Sequence, residues 1–142
     1  LLEDLYQAGW VVAVASIVSR DLPQTTWFLE LRPPAPLTTP LVCISPSSYD
    51  KIQLINPCQN FPEVLKNAVA TFYPKGIKNE MYIESDYELE LSGQPWSSYD
   101  FAIGISVRRI FLEIFRSLDQ LQYEFYTSVD LKGRADSIFF KK

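Results

Sequence analysis

Histidine is absent from the 142-residue chain. No Ser–His–Asp or Cys–His mechanism can therefore be assembled within it, and histidine-ligated zinc and histidine pH switches are excluded with them. Cysteine occurs only as Cys43 and Cys58, too few for a disulfide framework or a four-thiolate zinc site. Cys43 sits in the apolar run LVCIS and reads as a buried core thiol, whereas Cys58 belongs to the loop NPCQN. Basic charge is short as well, with 13 Lys and Arg against 17 Asp and Glu and a net charge of −4. Phosphate neutralisation needs clustered cations. The pairs Arg108–Arg109 and Lys141–Lys142 form no basic stripe, which argues against nucleic-acid binding.

Neither Gly-x-Gly-x-x-Gly nor a P-loop is present, which removes nucleotide binding through those motifs. No apolar run approaches the ~18 residues of a membrane span, and no signal peptide is visible. The expectation is a protein without a membrane span, intracellular, in cytoplasm or nucleus. Methionine occurs once, at Met81, and LLEDLYQAGW opens inside a helical pattern. The chain thus reads as one domain, residues 1–142, excised from a longer protein. Only five glycines stand beside ten prolines, a balance that favours stiff, extended connections.

What is present is a core former, 47% apolar and 14% aromatic. A chain of this length buries roughly 70% of the surface it exposes when unfolded. Leu1, Leu2 and Leu5 form the inner face of a helix ending near Gly9. WVVAVASIV and TTWFLELR read as strands joined by the turn SRDLPQ. Pro33, Pro34, Pro36 and Pro40 then forbid helix and central strand alike. They suggest a polyproline-like crossing between halves 1–40 and 41–142.

LVCIS and KIQLI are strands around the turn SPSSYD. In that turn, Ser45, Ser47 and Ser48 near Lys51 are turn formers before they are a nucleophile site. Asn60 with Glu63 resembles a capping box opening a helix with Val64, Leu65, Ala68, Val69 and Phe72 at helical spacing, stopped by Pro74 and Gly76. Ser97, Ser98 or Asp100 caps the last helix, whose stripe Val107, Ile110, Phe111, Ile114, Phe115, Leu118 is the clearest element of the chain. Strands Gln122–Leu131 and Ser137–Lys141 close it.

The fold class predicted is α+β, with about seven mostly antiparallel strands and three helices in the order α-β-β-β-β-α-β-α-β-β. LLEDLYQAGWVVAV and IFRSLDQLQYEFYT align as two helix–strand–strand units, which raises an internal αββ repeat.

The segment EMYIESDYELEL, residues 80–91, alternates almost without error. Met81, Ile83, Tyr87, Leu89 and Leu91 take one parity; Glu80, Glu84, Asp86, Glu88 and Glu90 take the other. Read as one strand over 77–91, it carries five carboxylates on an outer face, about 6.6–7 Å apart. Three roles suit such a face: contact with water, docking of a basic protein partner, and paired-carboxylate chemistry at the spacing of inverting glycosidases. The first two lead, because water screens exposed carboxylates and hard-cation sites need oxygen ligands converging from loops.

Two aromatics complete the candidate contacts. Trp96 in GQPW closes the core, or anchors a partner if exposed. Tyr126 points away from an inward set of Tyr123, Phe125, Thr127 and Val129. No catalytic, cofactor-binding or metal-ligating residue is assigned.

The function expected is a non-catalytic protein–protein interaction module. It would bind through an aromatic or edge-strand surface with Glu80, Glu84, Asp86, Glu88, Glu90, Trp96 and Tyr126 as contacts. The same edge allows homo-oligomerisation. The alternative is a binder of small or lipid-like molecules with an apolar pocket between sheet and long helix.

Overall fold

Apolar periodicity and turn chemistry place most elements where the sequence analysis expects them. The computed structural model describes residues 1–17, 25–33, 37, 39–130 and 136–142. In chain order they form α1 (Leu2–Gln7), β1 (Trp10–Ile17), β2 (Thr25–Leu31), β3 (Val42–Ser47), β4 (Lys51–Ile55) and α2 (Phe61–Phe72). There follow β5 (Ile77–Ile83), β6 (Asp86–Leu91), α3 (Phe101–Gln120), β7 (Glu124–Asp130) and β8 (Asp136–Lys141). The fold is α+β, with one strand more than the sequence suggests. The turn SRDLPQ, Val18, Pro34, Pro36 and Leu131 lie outside the described residues.

Gly9, at φ 91°, ends α1 in a conformation that glycine takes without strain. In α2, Pro62 occupies the first turn, where its missing N–H costs nothing. The capping box is not formed: Asn60 makes no side-chain capping bond, and Glu63 pairs with Lys66 at 2.8 Å instead. Of the three caps weighed for α3, Asp100 is the one used, its carboxylate accepting from the Ala102 N–H at 2.8 Å. The buried residues of α3, Ile103, Ile110, Ile114 and Leu118, follow the expected stripe.

Six strands form one antiparallel sheet in the order β5-β6-β4-β3-β8-β7. Helices α2 and α3 lie on one face. There Phe61, Leu65, Ile110 and Ile114 pack with Ile44, Ile52, Leu54 and Leu89 in a single core. Pro46 is accommodated in β3 because the pairing with β8 ends at Ile44, so its missing N–H interrupts no ladder on that side.

On the opposite face, Leu2, Val12, Leu41 and Tyr126 make a second, smaller core that seats α1 and β1 against the β7 end. Among the described residues, strands β1 and β2 pair only with each other. The helix–strand–strand order occurs at both ends of the chain, with the two hairpins in different sheets.

Candidate interaction surface on the outer hairpin

The expected 15-residue acidic strand is corrected to a hairpin. Ile83 pairs with Asp86, leaving the two-residue turn Glu84–Ser85, and Glu84 takes φ 57°. In a two-residue hairpin, residue i faces residue i+3, so opposite parities share a face across the turn. Alternation therefore runs through unbroken while the faces exchange.

Glu80 pairs with Leu89 on the helix side of the sheet. Asp86, Glu88 and Glu90 lie on the opposite side, with Ile83, Met81 and Asn79 as their respective partners. The structure thus brings three of the five carboxylates together, sends Glu80 to the other face and leaves Glu84 at the tip.

Most of these carboxylates are already engaged. Glu88 is 7% exposed, where the sequence suggested an outward, solvated group. Its Oε1 accepts from Lys51 Nζ and its Oε2 from Gln53 Nε2, each at 2.7 Å. These bonds, the Lys51 bond foremost, hold its pKa below the ordinary carboxylate value against the opposing effect of burial. Glu90 pairs with Lys78, and the Asp86 carboxylate accepts from the Asn56 N–H at 3.0 Å.

Across the sheet, Tyr87 donates its hydroxyl proton to Glu80 Oε2 at 2.7 Å, and Lys66 of α2 lies 3.3 Å from the same oxygen. The tyrosine bond first, and the lysine second, lower the Glu80 pKa. Burial and the bond to Glu80 push the Tyr87 pKa up. Among the described residues, Glu84 alone of the five makes no hydrogen bond or ion pair.

Strand β5 is the outer strand of the sheet, and all seven of its residues are exposed. Its apolar side chains are Ile77, Met81, Tyr82 and Ile83, with Tyr82 65% and Ile83 51% exposed. An edge strand presents unpaired peptide groups that can take up a further strand. Met81, Tyr82 and Ile83 were missed as surface residues because a single strand would have turned Met81 and Ile83 inward. The available signal was length, since 15 residues is about three times a usual strand, together with Glu-Ser-Asp as weak turn formers.

Of the two aromatics, Tyr126 is buried and Trp96 half-buried. Trp96 is half-buried, donates Nε1–H to the Lys51 carbonyl at 3.1 Å and rests on Phe111, so it closes the core. Tyr126 is 9% exposed. A bulge between Phe125 and Thr127 shifts the register, turning Tyr126 into the second core, where its hydroxyl accepts from the Val12 N–H at 3.2 Å. Phe125, expected inside, is left exposed.

A depression of about 330 Å3 lies at the N-terminal end of α3, lined by Tyr73, Lys75, Gln94, Ser97, Ser98, Tyr99 and Ile103. It is polar and open, and it borders the main core, to which its lining residues Tyr73 and Ile103 belong. Both cysteines are free thiols, and burial raises the Cys43 pKa to about 11. Among the described residues, no three Cys, Asp or Glu side chains group as metal ligands, and no helix is long and apolar enough to cross a membrane.

The fold and surface define an α+β sheet domain whose six-stranded sheet carries two helices on one face and, among the described residues, a bare edge at β5. Residues 40–141 match the model of a domain family described without an activity, and the chain belongs to that family. The matched span contains the six-stranded sheet with α2 and α3 and leaves out α1, β1 and β2. No curated protein and no solved structure matches the chain.

Proposed function

We propose that the chain is a non-catalytic protein–protein interaction module of a larger intracellular protein. It would bind a partner along the edge strand Ile77–Ile83. The observation that carries this reading is the bare edge: seven consecutive exposed residues, four of them large and apolar, at the end of a sheet whose helix-side face is filled. An extended partner segment would gain main-chain hydrogen bonds from such an edge and side-chain contacts with Met81 and Ile83. Glu84, exposed and without a counter-ion, would favour a partner bearing a basic group at that end and would speed encounter.

Two features favour binding over catalysis. Glu80 and Glu88 lie on opposite faces of the sheet. Each is held below the ordinary carboxylate pKa, so neither is tuned as a proton donor near neutrality.

Affinity capture tests the reading, using the wild-type chain beside Met81→Lys/Ile83→Lys and a control with Leu112→Lys on the exposed side of α3. Partners retained by wild type and control but lost by the edge variant support it. Equal recovery by all three rejects the edge as the binding surface. Glu88→Lys is unsuitable for this test, because it breaks an internal ion pair.

A further inference from the structure

We infer that the strand taken up by β5 is β5 of a second copy of this chain, paired antiparallel about a twofold axis through Met81. This rests on the interaction-module reading and names its partner.

The two ends of the six-stranded sheet differ. At the β7 end, α1 and β1 pack alongside through Val12 and Tyr126. The β5 end carries nothing among the described residues. A two-residue turn is closed by a hydrogen-bonded pair, here Ile83–Asp86. Counting back in an antiparallel ladder, Ile83, Met81 and Asn79 direct their peptide groups to β6, while Tyr82 and Glu80 direct theirs outward. The register shift between Ile77 and Asn79 interrupts the strand at Lys78, so Asn79–Ile83 is the regular stretch open to pairing.

A twofold through this edge permits three registers that match outward groups with outward groups. Centring on Glu80 sets Glu80 directly against its own copy. Centring on Tyr82 sets Glu80 against Glu84. Both oppose like charges, which destabilises a strand pair.

Centring on Met81 opposes none. Glu80 then faces Tyr82, Asn79 faces Ile83 and Met81 meets Met81 on the axis; just beyond this stretch Lys78, which pairs with Glu90 in its own chain, comes level with Glu84 of the second copy, so opposite charges adjoin there. Ile83, Met81 and their twofold mates form an apolar stripe along the seam. The axis is perpendicular to the sheet, so both helix layers stay on the same side and the two sheets become one.

Sedimentation velocity on the purified chain at rising concentration tests the inference. A species of twice the 16.3 kDa monomer is expected. Met81→Lys, which places two cations on the axis, is expected to weaken it by more than about tenfold. Glu84→Lys, which brings a second cation level with Lys78, is expected to weaken it also. Should Met81→Lys fail to fold by circular dichroism, the Glu84→Lys variant at the exposed tip carries the test.

Met81→Cys should cross-link to itself under mild oxidation, as directly opposed residues allow, whereas Tyr82→Cys should not. A monomer at all concentrations overturns the inference, as does a dimer insensitive to Met81→Lys and Glu84→Lys. If the chain is monomeric while Met81→Lys/Ile83→Lys still abolishes capture of another protein, the second copy is rejected and the interaction-module reading stands.

Discussion

Lys51 Nζ and Glu88 Oε1 lie 2.7 Å apart on the sheet face opposite α2 and α3, joining β4 to β6 beside the Gln53–Glu88 bond. With Glu88 7% exposed, this pair is a structural tie rather than a solvated charge.

Removing Glu88 therefore costs stability. Glu88→Ala leaves Lys51 and Gln53 without their acceptor and should lower unfolding free energy by about 1.5–3 kcal/mol, the range for hydrogen bonds to charged groups. Glu88→Gln retains a neutral acceptor and should cost less. Urea unfolding of the three proteins checks the order.

Acid should weaken the fold through the same carboxylate, with Glu80 contributing in the same direction. Both pKa values are lowered in the folded chain. The unfolded state then binds more protons wherever the two states differ. Their stabilisation is complete above the ordinary glutamate value of about 4.3 and falls away as pH drops through it toward the depressed values. Urea midpoints should be flat near neutrality for these groups and decline below about pH 4.5. Glu88→Gln should show a shallower decline.

Glu84 pays for its φ of 57° in backbone strain. Asparagine tolerates that region better than glutamate, so Glu84→Asn should stabilise the hairpin by about 0.5–1 kcal/mol. Thermal or urea unfolding measures this. Under the twofold arrangement, the same change also removes the negative charge beside Lys78 of the second copy and weakens self-association, so the two readouts move in opposite directions.

Tyr126→Phe should loosen the N-terminal ribbon without disturbing the main core. It strips the Val12 N–H of its acceptor in a buried setting, a loss of about 1–3 kcal/mol. Hydrogen exchange should accelerate across β1 while β3 and β4 keep their protection.

The thiols should differ in reactivity. Burial raises the Cys43 pKa to about 11 and also raises that of half-buried Cys58. A disulfide reagent at pH 8 should label Cys58 first and Cys43 only as the chain unfolds. The Cys58→Ser variant assigns the phases.

Much of the architecture was legible beforehand. Ile110, Ile114 and Leu118 recur at a spacing that fits only a helix with one buried side, and proline and glycine punctuate the chain where elements end. The candidate surface was legible in location but not in composition. Residues 80–91 span the edge strand β5, a two-residue turn and its neighbour β6, yet Glu88 is enclosed, while Met81 and Ile83 are outside. Tyr126 and Phe125 exchanged places for a related reason: a bulge inserts one residue and inverts parity beyond it.

By itself the sequence determined the class of fold, the three helices and the charge balance. These follow from local periodicity and composition, which act within a few residues. Only the tertiary structure decided which face each carboxylate takes, which strand stands bare and which aromatics are enclosed. A two-residue reversal preserves alternation while exchanging faces, and strand order is set by contacts between segments distant along the chain.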